Sequence, residues 1–297
     1  MIGNVEIKFL YDIVALEECR SFTVAADKRN ISQSSFSRRI QALESAVGFE
    51  IFDRSANPLQ LTAAGKSFIV YARNLLDDMD FQINRIKGID GIRQRINIAA
   101  AHSLSVFLLP EFIADFSGSQ DRIFFVESIN VDEAVYSLKE GRCDFILSFY
   151  NEELMTSPFL HHQVLETRLH LVSACKPDGS PVFRTDDDML PLMKYTDESY
   201  MGRQVNQLMD RGITMAFSPC FVSSMSDLLK RMILSGNGVG WLPDYSVCHE
   251  LKSGQLTVLD DSLSISMGVY IYRTSSRLNL SSERFWQYMK ARKAPAC

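Results

Sequence analysis

The N-terminal part of the chain carries apolar positions at helical spacing, separated by tight polar connections. A first amphipathic helix is followed by a second that contains Ala25-Ala26, small residues that let two helices approach closely. In a third helix Phe36, Ile40 and Leu43 recur at i, i+4 and i+7, which defines one buried face. The pattern predicts three short helices packed around a small core.

The third predicted helix has a polar face opposite its apolar one. Ser32 precedes the helix and offers a side-chain oxygen as a cap. At 100° per residue Ser34, Arg38 and Gln41 lie together on the opposite face, with Arg39 on its flank. Hydroxyl, guanidinium and amide groups suit a groove lined by base edges and phosphates. Taken alone, the pattern is equally typical of an ordinary solvated helix.

A turn and a long helix follow. Gly48 ends the third helix, and two short strands around Asn57-Pro58 predict a wing. From Thr62 to Gly88 the apolar positions form a seam too narrow for a globular core but suited to pairing with a second helix. The segment Gly88–Gly91 is predicted to end this helix and act as a hinge. The seam consists of Phe68, Ala72, Leu75, Met79, Ile83 and Ile86.

Beyond Arg93 the periodicity changes to short apolar runs that alternate with helical patterns. This alternation predicts an α/β domain with mostly parallel sheets. The helical patterns are Val106–Phe116, Val131–Glu140 and Met225–Leu234. The predicted strands are Ile96–Ala101, Ile123–Ser128, Phe145–Phe149, Leu169–Ala174, Ala216–Val222 and Val239–Leu242.

Composition and charge refine this organisation. A length of 297 residues suggests about two domains. The net charge is −5, yet the stretch from Arg20 to Ile40 carries +4, which leaves −9 for the rest. A basic island on an acidic chain indicates that one segment meets an anion while the remainder does other work. Apolar runs are too short for a membrane span and no signal peptide is visible, so we expect a cytoplasmic protein without a membrane partner.

The residues give little support to metal or catalytic chemistry. The six cysteines are at least 28 residues apart, so reduced thiols in a cytoplasm are expected. A metal site could be imagined from His161-His162, His170 and Cys175, but these residues do not have the spacing typical of metal ligands. The adjacent histidines are better explained as a solvated pair in a loop. Nucleophilic catalysis by an enzyme is the main alternative function, but no Gly-x-Ser-x-Gly motif surrounds the candidate nucleophiles. These are Cys220 or Ser103 with His102 or His249 as base. We expect no enzyme activity, no cofactor and no metal.

Several motifs together resemble the LysR-type winged helix-turn-helix. The resemblance runs without a gap over about 60 residues and continues into landmarks of the family's periplasmic-binding-protein-like effector domain. Those landmarks are Leu109-Pro110, Leu138-x-x-Gly141-x-x-Asp144-Phe145-Ile146 and Gly238-x-Gly240-x-Leu242-Pro243. The N-terminal motifs are Ser21-Phe22-Thr23-x-Ala25-Ala26, Ile31-Ser32-Gln33-Ser34-Ser35-Phe36-Ser37-Arg38-x-Ile40-x-x-Leu43-Glu44, then Gly48, Phe52, Arg54 and Leu61-Thr62-x-Ala64-Gly65.

The resemblance implies a division into an α-rich winged helix-turn-helix (1–65), a long linker helix that dimerises (66–90) and an α/β effector region (91–297) of two Rossmann-like lobes. Lobe I would take residues 91–167 and 270–297, and lobe II residues 168–269. The implied partners are a double-stranded DNA operator, a second copy in a homodimer or homotetramer, and RNA polymerase. The DNA-binding residues would be Ser21, Thr23, Ser32, Gln33, Ser34, Ser37, Arg38, Arg39 and Arg54.

Four further stretches are Ala99–Ser105, Val131–Val135, Ser199–Arg203 and Phe221–Ser226. They resemble LysR-type regulators that respond to hypochlorite through methionine oxidation. Seven of the 12 methionines fall between Met189 and Met232. Core filling explains most of them, because thioethers pack well in irregular gaps. Met201 lies in a polar segment beside the expected cleft, so a small oxidant should reach it, and Met225 is the second choice. Ser103, Ser199, Arg203 and Ser223 would complete the sensor site. The alternative is a small organic anion held in the same cleft by the hydroxyls of Ser103, Ser199 and Ser223.

Overall fold

The first three helices form the predicted core. Their bounds are α1 Ile7–Cys19, α2 Phe22–Lys28 and α3 Gln33–Val47, followed by an antiparallel pair of strands, β1 Phe52–Asp53 and β2 Gln60–Leu61. Phe36, Ile40 and Leu43 are fully buried, as their spacing predicted. The chain leaves α3 at Gly48, whose φ of 81° favours glycine. Strands β1 and β2 are the predicted wing. The structure is a computed structural model that describes residues 5–86, 94–117, 122–129 and 131–292.

Helix α4 spans Ala63–Ile86 and presents two apolar faces. One face, with Ile69, Ala72 and Leu76, is buried in the core of the N-terminal helices. The second face leaves Leu75 41%, Ile83 39% and Ile86 85% exposed. Ala72 was placed in the exposed seam, and this is wrong, because its small side chain lies between α4 and the helices of its own chain. The predicted hinge at residues 88–91 lies outside the described residues.

The α/β region contains a seven-stranded mixed sheet in the order β10-β6-β11-β5-β3-β4, with β9 also paired to β6. The prediction of mostly parallel sheets is only half right. Strands β3, β4 and β5 are parallel, as are β7 and β8 in a separate pair, whereas β6 and β11 run antiparallel to their neighbours. The strands are β3 Gln94–Ala100, β4 Arg122–Ser128, β5 Phe145–Phe149, β6 Phe159–Ala174, β7 Leu190–Tyr195, β8 Phe217–Ser223, β9 Gly240–Pro243, β10 Leu256–Val258 and β11 Ile265–Thr274.

Helices cover these sheets. The segment Val106–Phe116, predicted as one helix, is divided between α5 and α6. Helix α11 covers the first lobe with Phe285, Trp286 and Met289 buried. The helices are α5 His102–Phe107, α6 Leu109–Ala114, α7 Val131–Lys139, α8 Tyr200–Met209, α9 Ser226–Leu234, α10 Asp244–Lys252 and α11 Leu280–Ala291. In the described ranges no helix has both the length and the apolar character needed to cross a bilayer.

Two long strands connect the lobes. Strand β6 has 16 residues and pairs along its first eleven with β11, from Phe159 opposite Thr274 to Leu169 opposite Ile265. The register of this ladder shifts between Val269 and Tyr270, which marks a β-bulge. A crossing was predicted near Thr167, with a return near Tyr270, and both residues lie in this ladder. The lobe boundaries themselves stay predictions.

Candidate DNA-binding surface and sensor cavity

The polar face of α3 is open to solvent. Ser34, Arg38 and Gln41 are exposed, as is Gln33 at the start of the helix, whereas Ser37 is half-buried. The Ser32 hydroxyl accepts the N–H of Ser35 at 3.3 Å, which confirms its predicted role as the cap. The N-terminal half of α3 therefore presents the Ser34 hydroxyl and the Arg38 guanidinium to solvent, as major-groove recognition requires.

Helix α2 places two further predicted DNA contacts beside α3. The Ser21 hydroxyl accepts a hydrogen bond from the N–H of Val24 at 3.5 Å and caps α2, so this hydroxyl has a structural role. Thr23 is exposed in the first turn of the same helix. Only a hydroxyl that faces outward is available to a phosphate, which favours Thr23 over Ser21 as the contact.

Two arginines predicted to bind DNA take part in ion pairs within the chain. Asp12 is fully buried and accepts hydrogen bonds from Arg29 Nε at 2.7 Å and Arg39 Nη1 at 3.3 Å. Arg54 Nη2 donates to Glu44 Oε2 at 2.6 Å and thereby fastens the wing to α3. The burial of Asp12 was not predictable from the sequence pattern, because an acidic residue in an amphipathic helix normally faces water. Arg39 and Arg54 stay predicted DNA contacts, but Arg38 is the exposed arginine of the recognition face.

A cavity of about 550 Å³ lies between the lobes, at the starts of α5, α8 and α9. The first lobe contributes the end of β4, Phe149 of β5 and the start of α5, and the second lobe contributes α8 and α9. Phe149 stacks on Tyr200 at 4.7 Å between ring centroids and forms an aromatic wall. The polar lining includes His102, Ser103, Ser128, Thr196, Glu198, Ser199, Arg203, Ser224 and Ser226. Met201 and Met225 both line this cavity.

Met201 is far less accessible than its sequence context predicted. Its side chain is 5% exposed, because the first turn of α8 packs this residue inward together with Val205 one turn later. Its sulfur accepts a hydrogen bond from the Ser226 hydroxyl at 3.4 Å, and Ser226 in turn accepts one from Tyr195 at 2.9 Å. Burial raises the pKa of Tyr195, so its hydroxyl keeps its proton. The expectation of an open thioether is wrong, although the residue does line the cavity.

Met225 is the more exposed methionine of the pair, with 38% of its surface open. It precedes α9, and its N–H donates to the Ser223 hydroxyl at 3.1 Å. Ser223 was predicted to face the cleft, but the cavity wall is formed by its neighbour Ser224 instead. Alternating side-chain directions at the end of a strand make such a one-residue error easy.

The other residues predicted for the sensor site line the cavity. Ser199 caps α8 by accepting the N–H of Gly202 at 3.0 Å. Arg203 is exposed and donates to the backbone oxygen of Glu198. Ser103 is 6% exposed and its hydroxyl lies 2.8 Å from that of Tyr245. The cavity thus combines hydroxyls, a guanidinium, an imidazole, a carboxylate and two thioethers.

The geometry of the described residues does not support the hypotheses of nucleophilic catalysis or metal binding. Ser103 faces a tyrosine rather than a base, and His102 Nδ1 lies 3.7 Å from Asp227 Oδ1 across the cavity. In the ranges that the structure describes, no three acidic, histidine or cysteine side chains converge as metal ligands. Burial raises the pKa of the Cys143 thiol to about 12, which suppresses the thiolate. Cys248 is disulfide-bonded, contrary to the expectation that the thiols are reduced.

Comparison with known families agrees with this architecture along nearly the whole chain. Residues 7–66 match the model described as bacterial regulatory helix-turn-helix protein, lysR family, and residues 90–294 match the LysR substrate binding domain. The chain belongs to the LysR family of transcriptional regulators. It is therefore a DNA-binding regulator and not an enzyme.

Three relatives of this LysR-type regulator cover almost its full length. The Escherichia coli K12 transcriptional regulator YjiE is 44% identical over 98% of this chain and 96% of its own. The full-length structure of HypT from Salmonella typhimurium, described as hypochlorite-specific, is 42% identical with a TM-score of 0.63 and covers 97% of this chain and 98% of that one. Vibrio fischeri DarR, solved with DNA, is 36% identical with a TM-score of 0.64 and covers 98% and 100%.

Replacing Arg38 by alanine should weaken binding of this LysR-type regulator to its specific site by about 1–3 kcal/mol, because a charge-assisted contact to a base or phosphate is lost. The duplex can be obtained by selecting random DNA against the protein, and affinity measured by fluorescence anisotropy at fixed salt. Arg168→Ala, which removes an exposed arginine from β6, is the matched control. Equal affinities of the Arg38 variant and wild type would show that this face does not touch DNA.

Proposed function

We propose that this LysR-type regulator responds to hypochlorite through oxidation of Met201 to its sulfoxide, with Met225 as a second target. The observation that carries the proposal is that the Met201 thioether lines the inter-lobe cavity while its sulfur belongs to a buried hydrogen-bonded chain. Oxidation there changes the polarity of a buried position. The similarity to a regulator described as hypochlorite-specific supports the choice of oxidant.

The physical effect of the sulfoxide follows from its burial. The reaction converts a flexible apolar side chain into a polar one with an acceptor oxygen. A buried polar oxygen needs donors, and the Ser226 hydroxyl and the amides at the starts of α8 and α9 are nearby. A difference of about 1.4 kcal/mol between two lobe arrangements shifts their ratio tenfold. One oxygen atom with one or two new hydrogen bonds supplies energy of this size.

We further infer that the protein acts as a homodimer or higher oligomer on double-stranded DNA. The exposed apolar face of α4 supports self-association, and the open face of α3 supports DNA recognition. Two copies would hold two recognition helices at a fixed spacing, which matches the two-fold symmetry of typical operators. RNA polymerase as a further partner stays a prediction.

Replacing Met201 by leucine, which conserves volume, should abolish the response to hypochlorite. The measurement is DNA affinity before and after titration with hypochlorite, combined with peptide mass spectrometry. Met189→Leu is the matched control, because Met189 is 56% exposed and lies outside the cavity lining. Met201→Gln, a rough polar mimic of the sulfoxide, should shift DNA binding towards the oxidised form without oxidant.

A thiol mechanism would give the opposite pattern in the same assay. If Met201→Leu responds like wild type while a variant with every cysteine replaced by serine does not, a thiol is the sensor and the methionine mechanism is wrong. Cys248 is already disulfide-bonded, so the candidates for a thiol sensor are the free cysteines Cys19, Cys143, Cys175 and Cys220.

The second candidate function is sensing of a small organic anion in the same cavity. Arg203, the Ser199 hydroxyl and the starts of α8 and α9 favour it, since helix N-termini attract negative charge. A ligand that binds only the folded protein raises its stability by RT ln(1 + [L]/Kd). Thermal unfolding with a panel of small carboxylates would therefore reveal such a ligand. A stabilising carboxylate whose effect is lost in Arg203→Ala would favour metabolite sensing over oxidation.

A further inference from the structure

A chain of hydrogen bonds from the second lobe ends on the sulfur of Met201. Tyr195, at the end of β7 and 2% exposed, donates to the Ser226 hydroxyl at 2.9 Å. Ser226, at the start of α9 and also 2% exposed, donates to Met201 Sδ at 3.4 Å. Because the Tyr195 proton occupies one acceptor position on the Ser226 oxygen, the Ser226 proton remains available for the sulfur. Three separate elements therefore fix one orientation of a normally flexible thioether.

This hydrogen bond makes the two sides of the sulfur unequal. A thioether sulfur has two lone pairs, and oxidation of a freely rotating methionine at one or the other gives two sulfoxide epimers. In the folded protein the Ser226 hydroxyl engages one of these lone pairs. The other is the one left for an oxidant that enters the cavity.

We infer that Ser226 positions the Met201 thioether so that hypochlorite produces one sulfoxide epimer in excess. The inference rests on the proposed function, since it concerns the same oxidation. The reaction balances: the thioether and hypochlorous acid give the sulfoxide, chloride and a proton released to water. Sulfur loses two electrons and chlorine gains them, as the O–Cl bond breaks and the S–O bond forms. Ser226 is a positioning residue and is itself unchanged.

The epimer ratio can be measured with the two methionine sulfoxide reductases, each of which reduces one epimer. The folded full-length protein is treated with hypochlorite and digested, and the Met201 peptide is incubated with each enzyme before mass spectrometry. We expect about a tenfold excess of one epimer, which corresponds to a difference of about 1.36 kcal/mol between the two transition states. Protein oxidised in denaturant should give nearly equal amounts.

Variants of Ser226 separate positioning from a general structural role. Ser226→Ala should bring the epimers close to equal, and Ser226→Thr, which keeps the hydroxyl, should retain the excess. Ser224→Ala removes an exposed hydroxyl from the same cavity and should leave the ratio unchanged. If Ser226→Ala folds poorly because the Tyr195 hydroxyl loses its acceptor, the double variant with Tyr195→Phe removes both polar groups and tests the same point. Met225, which is 38% exposed, is the internal comparison and should give a nearly equal mixture.

The outcomes distinguish the inference from the proposed function. Absence of Met201 sulfoxide in wild type would overturn both. An equal mixture of epimers at Met201 in folded wild-type protein, with the DNA-binding response intact, would overturn the positioning role of Ser226 alone. An excess of one Met201 sulfoxide epimer that is unchanged in Ser226→Ala would also overturn the positioning role of Ser226 alone.

Discussion

Replacing Leu75 and Ile83 together by glutamate is expected to produce monomers that bind an operator with two half-sites about 100-fold more weakly or worse, since linked binding gains factors of this size. These side chains are 41% and 39% exposed on α4, on the face that points away from the N-terminal core. Because about 40% of each side chain is still exposed, burying it against a second copy contributes roughly 0.6–1.2 kcal/mol. A glutamate there would bring an unpaired charge into the interface.

Light scattering gives the mass of the particle, and a gel shift with single and paired half-sites gives the loss of linked binding. Ser67→Glu is the control, because this exposed residue of α4 lies outside the apolar face. Binding to a single half-site should be nearly unchanged, since α3 is untouched. A double variant that remains dimeric would show that α4 is not the contact between copies.

Replacing Arg29 by alanine is expected to lower the free energy of unfolding of the N-terminal helices by about 1–3 kcal/mol, since it removes one of the two arginine partners of a buried carboxylate. The Asp12 carboxylate is fully buried, and its shortest hydrogen bond, 2.7 Å, comes from Arg29. Without that partner the charge depends on Arg39 at 3.3 Å. Hydrogen exchange of the amides in α1 and α3 measures the effect locally, while the effector region should be unaffected.

The neighbouring Lys28 provides the matched control. Lys28 pairs with Glu18 at 2.6 Å, but both side chains are about half exposed, so solvent screens the pair. Lys28→Ala should therefore leave exchange of the same amides close to wild type. Equal protection in the Arg29 and Lys28 variants would show that Arg39 alone can neutralise Asp12.

Features set by local periodicity were predictable from sequence. The buried face of α3 followed from the spacing of Phe36, Ile40 and Leu43, and the cap at Ser32 followed from the hydroxyl before the helix. These features depend on side chains a few residues apart. Motifs extending over most of the chain then identified the family, because their order along the sequence reflects the order of its structural elements.

Features that depend on distant partners were not predictable. Met201 is buried because α8 packs it inward, and its sulfur accepts a hydrogen bond from Ser226, 25 residues later. Asp12 is buried because two arginines from other helices neutralise it. The antiparallel pairing of β6 with β11 likewise joins segments about 100 residues apart. The local alternation of apolar residues carries no information about the direction of that pairing.

The paired strands β6 and β11 have a consequence for the thermodynamics of signalling. They join the lobes by hydrogen-bonded backbone rather than by flexible loops, and the bulge at Val269–Tyr270 is the point where their ladder is already irregular. Rotation of one lobe against the other must therefore be taken up as twist and bend of ordered strands. Ordering a flexible residue costs about 1–2 kcal/mol of conformational entropy. A connection that is ordered in both arrangements avoids this cost, so the small energy of the proposed sulfoxide oxygen would be enough to decide between them.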